Sequence, residues 1–361
     1  MNNQELVRLI SFYLPQFHPI AENNEWWGAG FTEWTNVVKT RPKFKGHYQP
    51  HLPADLGFYD LRLAEVRAAQ AQMAQQYGIH GFCYYHYWFN GRRVLQRPLD
   101  EVLASGEPNF PFCVCWANEN WTRRWDGQEN EVLLKQNYSL QDDIDHVKSL
   151  IPTFKDPRYI KVDGKPLFLV YRASHLPDPA TTIETWRREA KSAGLEGLYI
   201  CCVESFNTDH GLSPKIGADA AVEFAPDWNC LPRRIAVDRP FRFLQKHLIH
   251  GVSKRNYICD YAELAERMLD KPPVDYRRYR CVTPMWDNSA RRKQNAFIAR
   301  DSTPALYENW LGETIKQELR NESSNHLVFI NAWNEWAEGN HLEPCERWGK
   351  AYLEATLKAA R

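Results

Sequence analysis

Eight apolar runs recur along the chain, at residues 7–14, 80–88, 112–118, 166–172, 197–204, 219–224, 281–287 and 327–336. Each is rich in Val, Ile, Phe, Tyr or Cys, and most are continuously apolar instead of alternating. A strand that is apolar throughout is buried on both faces, as in a parallel sheet covered by helices. Helix-like polar runs lie between them at 61–77, 140–154, 180–193, 261–269 and 306–319, with a last one at 350–360. Gly78 and Gly194 read as stop signals and Ser139 as an N-cap. Alternating strands and helices predict an α/β fold. A count of eight favours a closed (β/α)8 TIM barrel over an open doubly wound sheet. No GxGxxG follows the first run, which argues against a dinucleotide fold. The expectation is a single domain over residues 1–361 with long βα loops, a length such barrels reach once loops are inserted.

Two connections are long, 15–60 after the first strand and 225–257 after the sixth. Both are βα loops, so both fall on the C-terminal face, where active sites of this fold sit. Long ordered loops are usually lids or binding loops. The ends of all eight strands carry polar or aromatic groups. The candidates for binding substrate there are Tyr13, Gln16, His18, Glu33, Trp34, Tyr85, His86, Trp88, Trp116, Asn118, Glu119, Tyr171, Arg172, Glu204, Glu223, Trp286, Asp287, Asn331 and Trp333. A barrel serving structure alone has no need of so many carboxylates, amides and indoles at one end.

The last strand carries the strongest element, Asn334-Glu335-Trp336-Ala337-Glu338. Two Glu at spacing three cannot point the same way along a strand of period two. They converge if the strand ends between them and the chain turns, which Gly339 and Pro344 support. Cleaving a glycosidic bond needs such a pair: one group protonates the leaving oxygen and the other acts as base or nucleophile. Neighbouring tryptophans would exclude water and raise the donor's proton affinity. The plainer reading is a surface stretch with solvated carboxylates, and its place at the end of the eighth strand weighs against that. Glu335 and Glu338 are therefore the predicted catalytic residues.

Composition narrows the partners. Acidic and basic residues balance at 45 each, giving no electrostatic reason to expect nucleic acid or an anionic membrane. The 14 Trp, 17 Tyr and 17 Phe cluster beside polar residues, as in Trp26-Trp27, 84–88 and 116–125. Sugar rings have apolar faces and hydroxyl edges, so this mixture suits an oligosaccharide or polysaccharide substrate. No apolar run reaches the roughly 20 residues that span a bilayer. Residues 6–14 do not read as a secretory signal, and most of the nine cysteines sit in apolar runs with no CxxC pair. A reduced, cytoplasmic protein is expected. His18, His47, His51 and His86 show neither HxH nor HExxH spacing, so no metal and no cofactor are expected. Asp143-x-Asp145 follows Ser139 and reads as helix N-terminal charge. Arg291-Arg292-Lys293 is the best basic patch, read as a solvated loop ahead of a contact to a phosphate or acidic sugar.

Several long motifs carry a resemblance. They are Phe12-Tyr13-Leu14-Pro15-Gln16-Phe17-His18-Pro19, Trp26-Trp27-Gly28, Gly30-Phe31-Thr32-Glu33-Trp34-Thr35-Asn36, Tyr85-His86-Tyr87-Trp88-Phe89, Trp116-Ala117-Asn118-Glu119-Asn120-Trp121, and Asn331 through Gly339. Together they resemble the WbsX family, described as glycosyltransferases of bacterial surface-polysaccharide loci and related to glycoside hydrolase family 99, the endo-α-mannosidases and endo-α-mannanases. The resemblance implies a (β/α)8 barrel and a retaining reaction. Glu335 would assist the sugar's own 2-hydroxyl in attacking the anomeric carbon, giving a 1,2-anhydro intermediate. Glu338 would be acid and then base. The hydrolases often place a histidine between the two Glu; here it is Ala337, which bears on substrate contacts near the bond. Three readings follow: a retaining glycoside hydrolase, a glycosyltransferase of O-antigen, lipopolysaccharide or capsule synthesis, and a glycan-binding protein without turnover. The acid pair and the lack of a nucleotide-binding pattern favour the first.

Overall fold

A computed structural model describes residues 7–123, 128–235, 256–292 and 294–361. Eight parallel strands close into a barrel: β1 Arg8–Tyr13, β2 Gly81–Phe89, β3 Phe112–Trp116, β4 Lys165–Val170, β5 Tyr199–Glu204, β6 Ala220–Glu223, β7 Arg278–Val282 and β8 Leu327–Ile330. Each strand pairs with its neighbour in chain order. Closure is made by β1 against β8 (Arg8 opposite Leu327) and β1 against β2 (Ile10 opposite Gly81). The outer helices are α1 Ala64–Gln76, α2 Arg97–Ser105, α3 Leu140–Phe154, α4 Pro179–Ser192, α5 Tyr261–Leu269, α6 Pro304–Glu318 and α7 Ala351–Ala359. Six of these match the predicted runs. The seventh, α2, has only a short polar pattern, but it opens on Pro98 and ends at Gly106 in the left-handed conformation.

Two predicted strands end elsewhere. The seventh run, 281–287, is displaced: β7 starts at Arg278 and stops at Val282. Pro284 cannot donate to a ladder, and Trp286–Asp287 leaves the barrel to pair antiparallel with Phe297–Arg300. Apolarity failed to mark the start because Arg278 and Arg280 face outward among polar partners. The eighth run, 327–336, stops at Ile330. The chain therefore leaves the barrel before both glutamates, not between them.

Side chains alternate along each strand, and that period decides which residues reach the barrel axis. Phe12 of β1 points inward and stacks on Tyr85 of β2 with ring centroids 5.5 Å apart. Phe224 and Phe329 join at 6.3 and 5.7 Å from Phe12, filling the upper barrel with rings. Between β5 and β6 a 3-10 turn, Ser213–Ile216, stands where the other crossovers place a longer helix. Outside these strands the buried Lys271 ammonium lies 2.7 Å from Glu223 and 2.5 Å from Asp227. Tyr276 donates to Glu204 at 2.6 Å in the same cluster. Among the described residues no helix is long and apolar enough to cross a membrane.

Candidate active site

The first loop, 15–60, covers part of the C-terminal mouth with two short helices, Ala21–Trp27 and Glu33–Lys39. The second long loop, 225–257, is described only as far as 235 and again from 256. A cleft of about 510 Å³ opens at this mouth. Gln16, Tyr85, Glu119, Tyr171, Trp286, Glu335 and Glu338 of the predicted set line it. Two aromatic groups flank the carboxylates. On one rim Trp121 packs edge-on against Trp26 (5.9 Å) and Tyr87 (5.2 Å), residues placed by β1, β2 and β3. On the opposite rim, after β6 and β7, Trp228 packs edge-on against Trp286 (6.0 Å) and Phe297 (5.3 Å).

The glutamate pair sits on a built turn. Beyond β8 the Asn334 side chain accepts from the Leu14 amide at 2.7 Å and donates to the Leu14 carbonyl at 3.0 Å. It supplies the rung that the ended strand no longer offers to β1. Glu335 then precedes a 3-10 turn, Trp336–Glu338, closed by Gly339 at φ 54°. A Cβ at Gly339 would lie 2.9 Å from both the Cβ and the carbonyl oxygen of Asp287. Glycine thus serves both the left-handed backbone and the close approach of the two loops. Behind the turn, the buried Glu343 accepts from Trp336 Nε1 (2.6 Å), Gln70 Nε2 (2.7 Å) and Tyr59 (2.8 Å). Burial raises its proton affinity to about 7 against the pull of those bonds. Sequence reading missed Glu343; its one signal was a carboxylate soon after a strand of tryptophans.

Sequence reading also underrated Arg291. Its side chain is only 15% exposed, at the wall of the cleft. Its Nη2 lies 2.6 Å from Glu33 and 2.6 Å from Glu335, and its Nη1 lies 2.7 Å from Glu338. One buried guanidinium thus binds three carboxylates, brought by the β1 loop and the β8 turn. Burial, then Glu338 and Glu33, push Glu335 up to about 8 despite the opposing Arg291. Burial likewise raises Glu33, again against Arg291. Arg292 also lines the cleft. Lys293 and Trp125 lie outside the described residues.

The remaining candidates stand behind the cleft or away from it. Period two explains most. Tyr13 alternates with Phe12, so it points outward and donates to Gln70 of α1 at 2.7 Å. His86 and Trp88 alternate with Tyr85 and Tyr87; His86 meets His146 of α3 at 3.0 Å and Trp88 donates to Asp142 at 2.9 Å. Trp116 is buried edge-on against Trp186 of α4 at 5.8 Å. Glu204 and Glu223 face the Lys271 cluster. Trp34 and Trp333 are buried in the core, against Trp336 and Phe82 respectively. His18 is buried in the first loop beside Asp60.

Others hold the wall from behind. Arg172 lies 2.9 Å from Glu119 and 3.0 Å from Asp209, and its guanidinium covers the Phe206 ring at 4.1 Å. Asn118 accepts from the Arg172 amide at 2.8 Å. Glu33 also accepts from Gln16 at 3.4 Å. Asn331 donates to the Ala225 carbonyl at 2.8 Å. Asp287 meets His47 at 2.6 Å and Gln49 at 2.7 Å; these bonds lower its proton affinity although burial raises it. Asp143 accepts from Thr182 at 2.7 Å, tying α3 to α4. Among the described residues no group of His, Cys, Asp and Glu is placed to hold a metal ion.

Barrel, mouth and site define the class: a (β/α)8 protein with a carboxylate pair set between aromatic walls at the C-terminal end of its strands. The WbsX glycosyltransferase family model matches residues 9–356, and the chain belongs to that family. Two curated relatives from Xanthomonas campestris pv. campestris, both called uncharacterized protein WxcX, are 44% identical over 353 residues, 97% of this chain and 49% of theirs. The chain spans about half the length of the curated relatives it matches. Its fold is shared with a glycoside hydrolase family 99 endo-α-mannosidase from Bacteroides thetaiotaomicron, at TM-score 0.59 and 13% identity, covering 98% of this chain and 95% of that one. A glycoside hydrolase-like protein superposes at TM-score 0.61 with 14% identity, covering 100% and 96%.

Proposed function

We propose that the protein acts on a glycosidic bond of a bacterial surface polysaccharide or related glycan, as a retaining glycoside hydrolase with Glu335 and Glu338 as its chemical pair. The observation that carries this reading is the placement of both carboxylates on one guanidinium, at the bottom of a cleft walled by indoles. Held on the two terminal nitrogens of Arg291, the carboxylates can serve one substrate as acid and base. The rims carrying Trp121 and Trp228 offer stacking faces on either side of the pair, which suits a substrate of more than one sugar. The family resemblance assigns Glu335 to assist the 2-hydroxyl and Glu338 to protonate the leaving oxygen. Between them in sequence stands Ala337, where the hydrolases often carry a histidine.

The second reading, a glycosyltransferase of O-antigen or capsule synthesis, is favoured by the family's description. It uses the same pair with a sugar hydroxyl in place of water. A cytoplasmic setting, which suits the transferase, is supported by nine cysteines that all carry free thiols. The test is release of reducing ends from purified surface polysaccharides, run beside a thermal-shift screen of nucleotide sugars. New reducing ends that disappear in Glu338→Gln support the hydrolase. Stabilisation by one nucleotide sugar, with no reducing ends formed, would replace it with the transferase.

A further inference from the structure

Among the described residues, Lys271 and Arg172 each meet two carboxylates. Arg291 meets three, and the count has a consequence for the charge of the site. One guanidinium against Glu33, Glu335 and Glu338 leaves two negative charges in excess when all three are ionised. Side-chain exposure is 0% for Glu33, 7% for Glu335 and 21% for Glu338, so water screens the first two little and the third in part. Carboxylates crowded in this way do not ionise together; one keeps its proton until well above the usual carboxylate range. Among the largest influences on Glu335, the cation is Arg291. The groups facing it are Arg291 from the β7 loop, Glu33 from the β1 loop, Glu338 from its own turn, and the Tyr85 and Tyr87 phenols of β2. Beyond Gly339, the Asp287 carboxylate is bound by His47 at 2.6 Å and by Gln49 at 2.7 Å.

We propose that Arg291 and Glu33 are positioning residues that hold the Glu335–Glu338 pair together with a single shared proton. Arg291 supplies the geometry, because its two terminal nitrogens take one member of the pair each, Nη2 Glu335 and Nη1 Glu338. Glu33 supplies the balance. Fully buried, and bound to Arg291 through both Nε (2.7 Å) and Nη2 (2.6 Å), it draws part of the guanidinium's charge away from Glu335. Without Glu33 the guanidinium would neutralise Glu335 more completely and the proton would be held less tightly. With it, the pair keeps one proton and one negative charge, the state in which one member can donate while the other accepts. Burial and the two neighbouring carboxylates raise Glu335 to about 8, in line with this arrangement. The inference rests on the glutamate pair proposed above but not on any turnover.

The test is a carbon NMR titration of the full chain labelled at glutamate side-chain carboxyls, with Glu335→Gln identifying the signal. The wild type is expected to show one carboxyl with a midpoint near 8. Glu33→Gln should lower that midpoint by about one pH unit, a tenfold loss of proton affinity, and Arg291→Met should raise it by at least about as much. Arg291→Lys, which keeps the charge but not the two-pronged geometry, should fall between wild type and Arg291→Met. An unmoved midpoint in folded Glu33→Gln overturns the proposal, and that variant decides alone if Arg291→Met does not fold. If the midpoint stays while Glu338→Gln abolishes reducing-end release, the shared-proton proposal fails and the catalytic reading stands. If the midpoint moves and no glycan is turned over, the reverse holds.

Discussion

Arg291 lies 2.6 Å from Glu335, joining a loop that follows the seventh strand to a turn that follows the eighth. This contact makes the pair's proton inventory a property of two loops, and it sets the pH range in which the pair can work. A pair that shares one proton is active between the loss of that proton and the gain of a second. Loss occurs near 8, the midpoint that burial and neighbouring carboxylates give Glu335. Activity on a glycan should therefore fall as pH rises through about 8, whichever glutamate donates. A kcat/KM profile still rising at pH 9 would contradict this.

Glu338→Gln removes one partner of the proton exchange while keeping shape. General acid–base groups contribute roughly 10²–10⁴-fold, so kcat should drop by about that factor with oligosaccharide affinity retained. Steady-state kinetics beside calorimetric binding would measure both. Equal loss of binding and rate would mean that the residue shapes the cleft and does no chemistry.

Trp121 and Trp228 both line the cleft, and the proposed glycan would stack on them. Trp121→Ala should raise KM about tenfold with little change in kcat, since a stacking contact of this size stabilises ground state and transition state alike. A selective loss of kcat would place the indole at the reacting sugar itself.

Gly339→Ala meets two obstacles at once, a left-handed φ and the 2.9 Å approach to Asp287. A loss of about 1–3 kcal/mol is expected, measurable by chemical denaturation. Because Asp287 must shift, the turn carrying Glu335 and Glu338 should move with it, and activity should fall more than stability does.

Glu343 carries a proton affinity raised to about 7 by burial. A carboxyl raised in the folded state contributes stability that is complete below its unfolded value and lost as pH rises through the folded one. Over that window, about 4.5 to 7, the loss is about 3 kcal/mol. Melting curves at pH 5 and pH 8 should show the wild type losing more stability than Glu343→Gln.

Reading the sequence located the architecture because burial leaves a plain trace. Six of eight strands and six helices appear as runs of one composition, and the barrel follows from their count. The same trace misled where polar residues enter a strand, as with Arg278 and Arg280, or where apolar residues leave one, as with Trp333 and Trp336. The site was legible in part for a related reason. Strand ends are recognisable, but the direction of each side chain depends on a one-residue register. Tyr85 and His86 are neighbours of equal appeal; one faces the cleft and the other an outer helix. Arg291 was hidden by its setting in a run of basic residues, since no local signal tells a solvated arginine from one folded back onto carboxylates distant in the chain.

The Asn334 bridge to Leu14 joins residues 320 positions apart. In synthesis, the strand and loop at Leu14 therefore emerge 320 residues ahead of the side chain that completes them. A nascent chain that stops before Leu327 has neither its eighth barrel strand nor the two carboxylates held by Arg291.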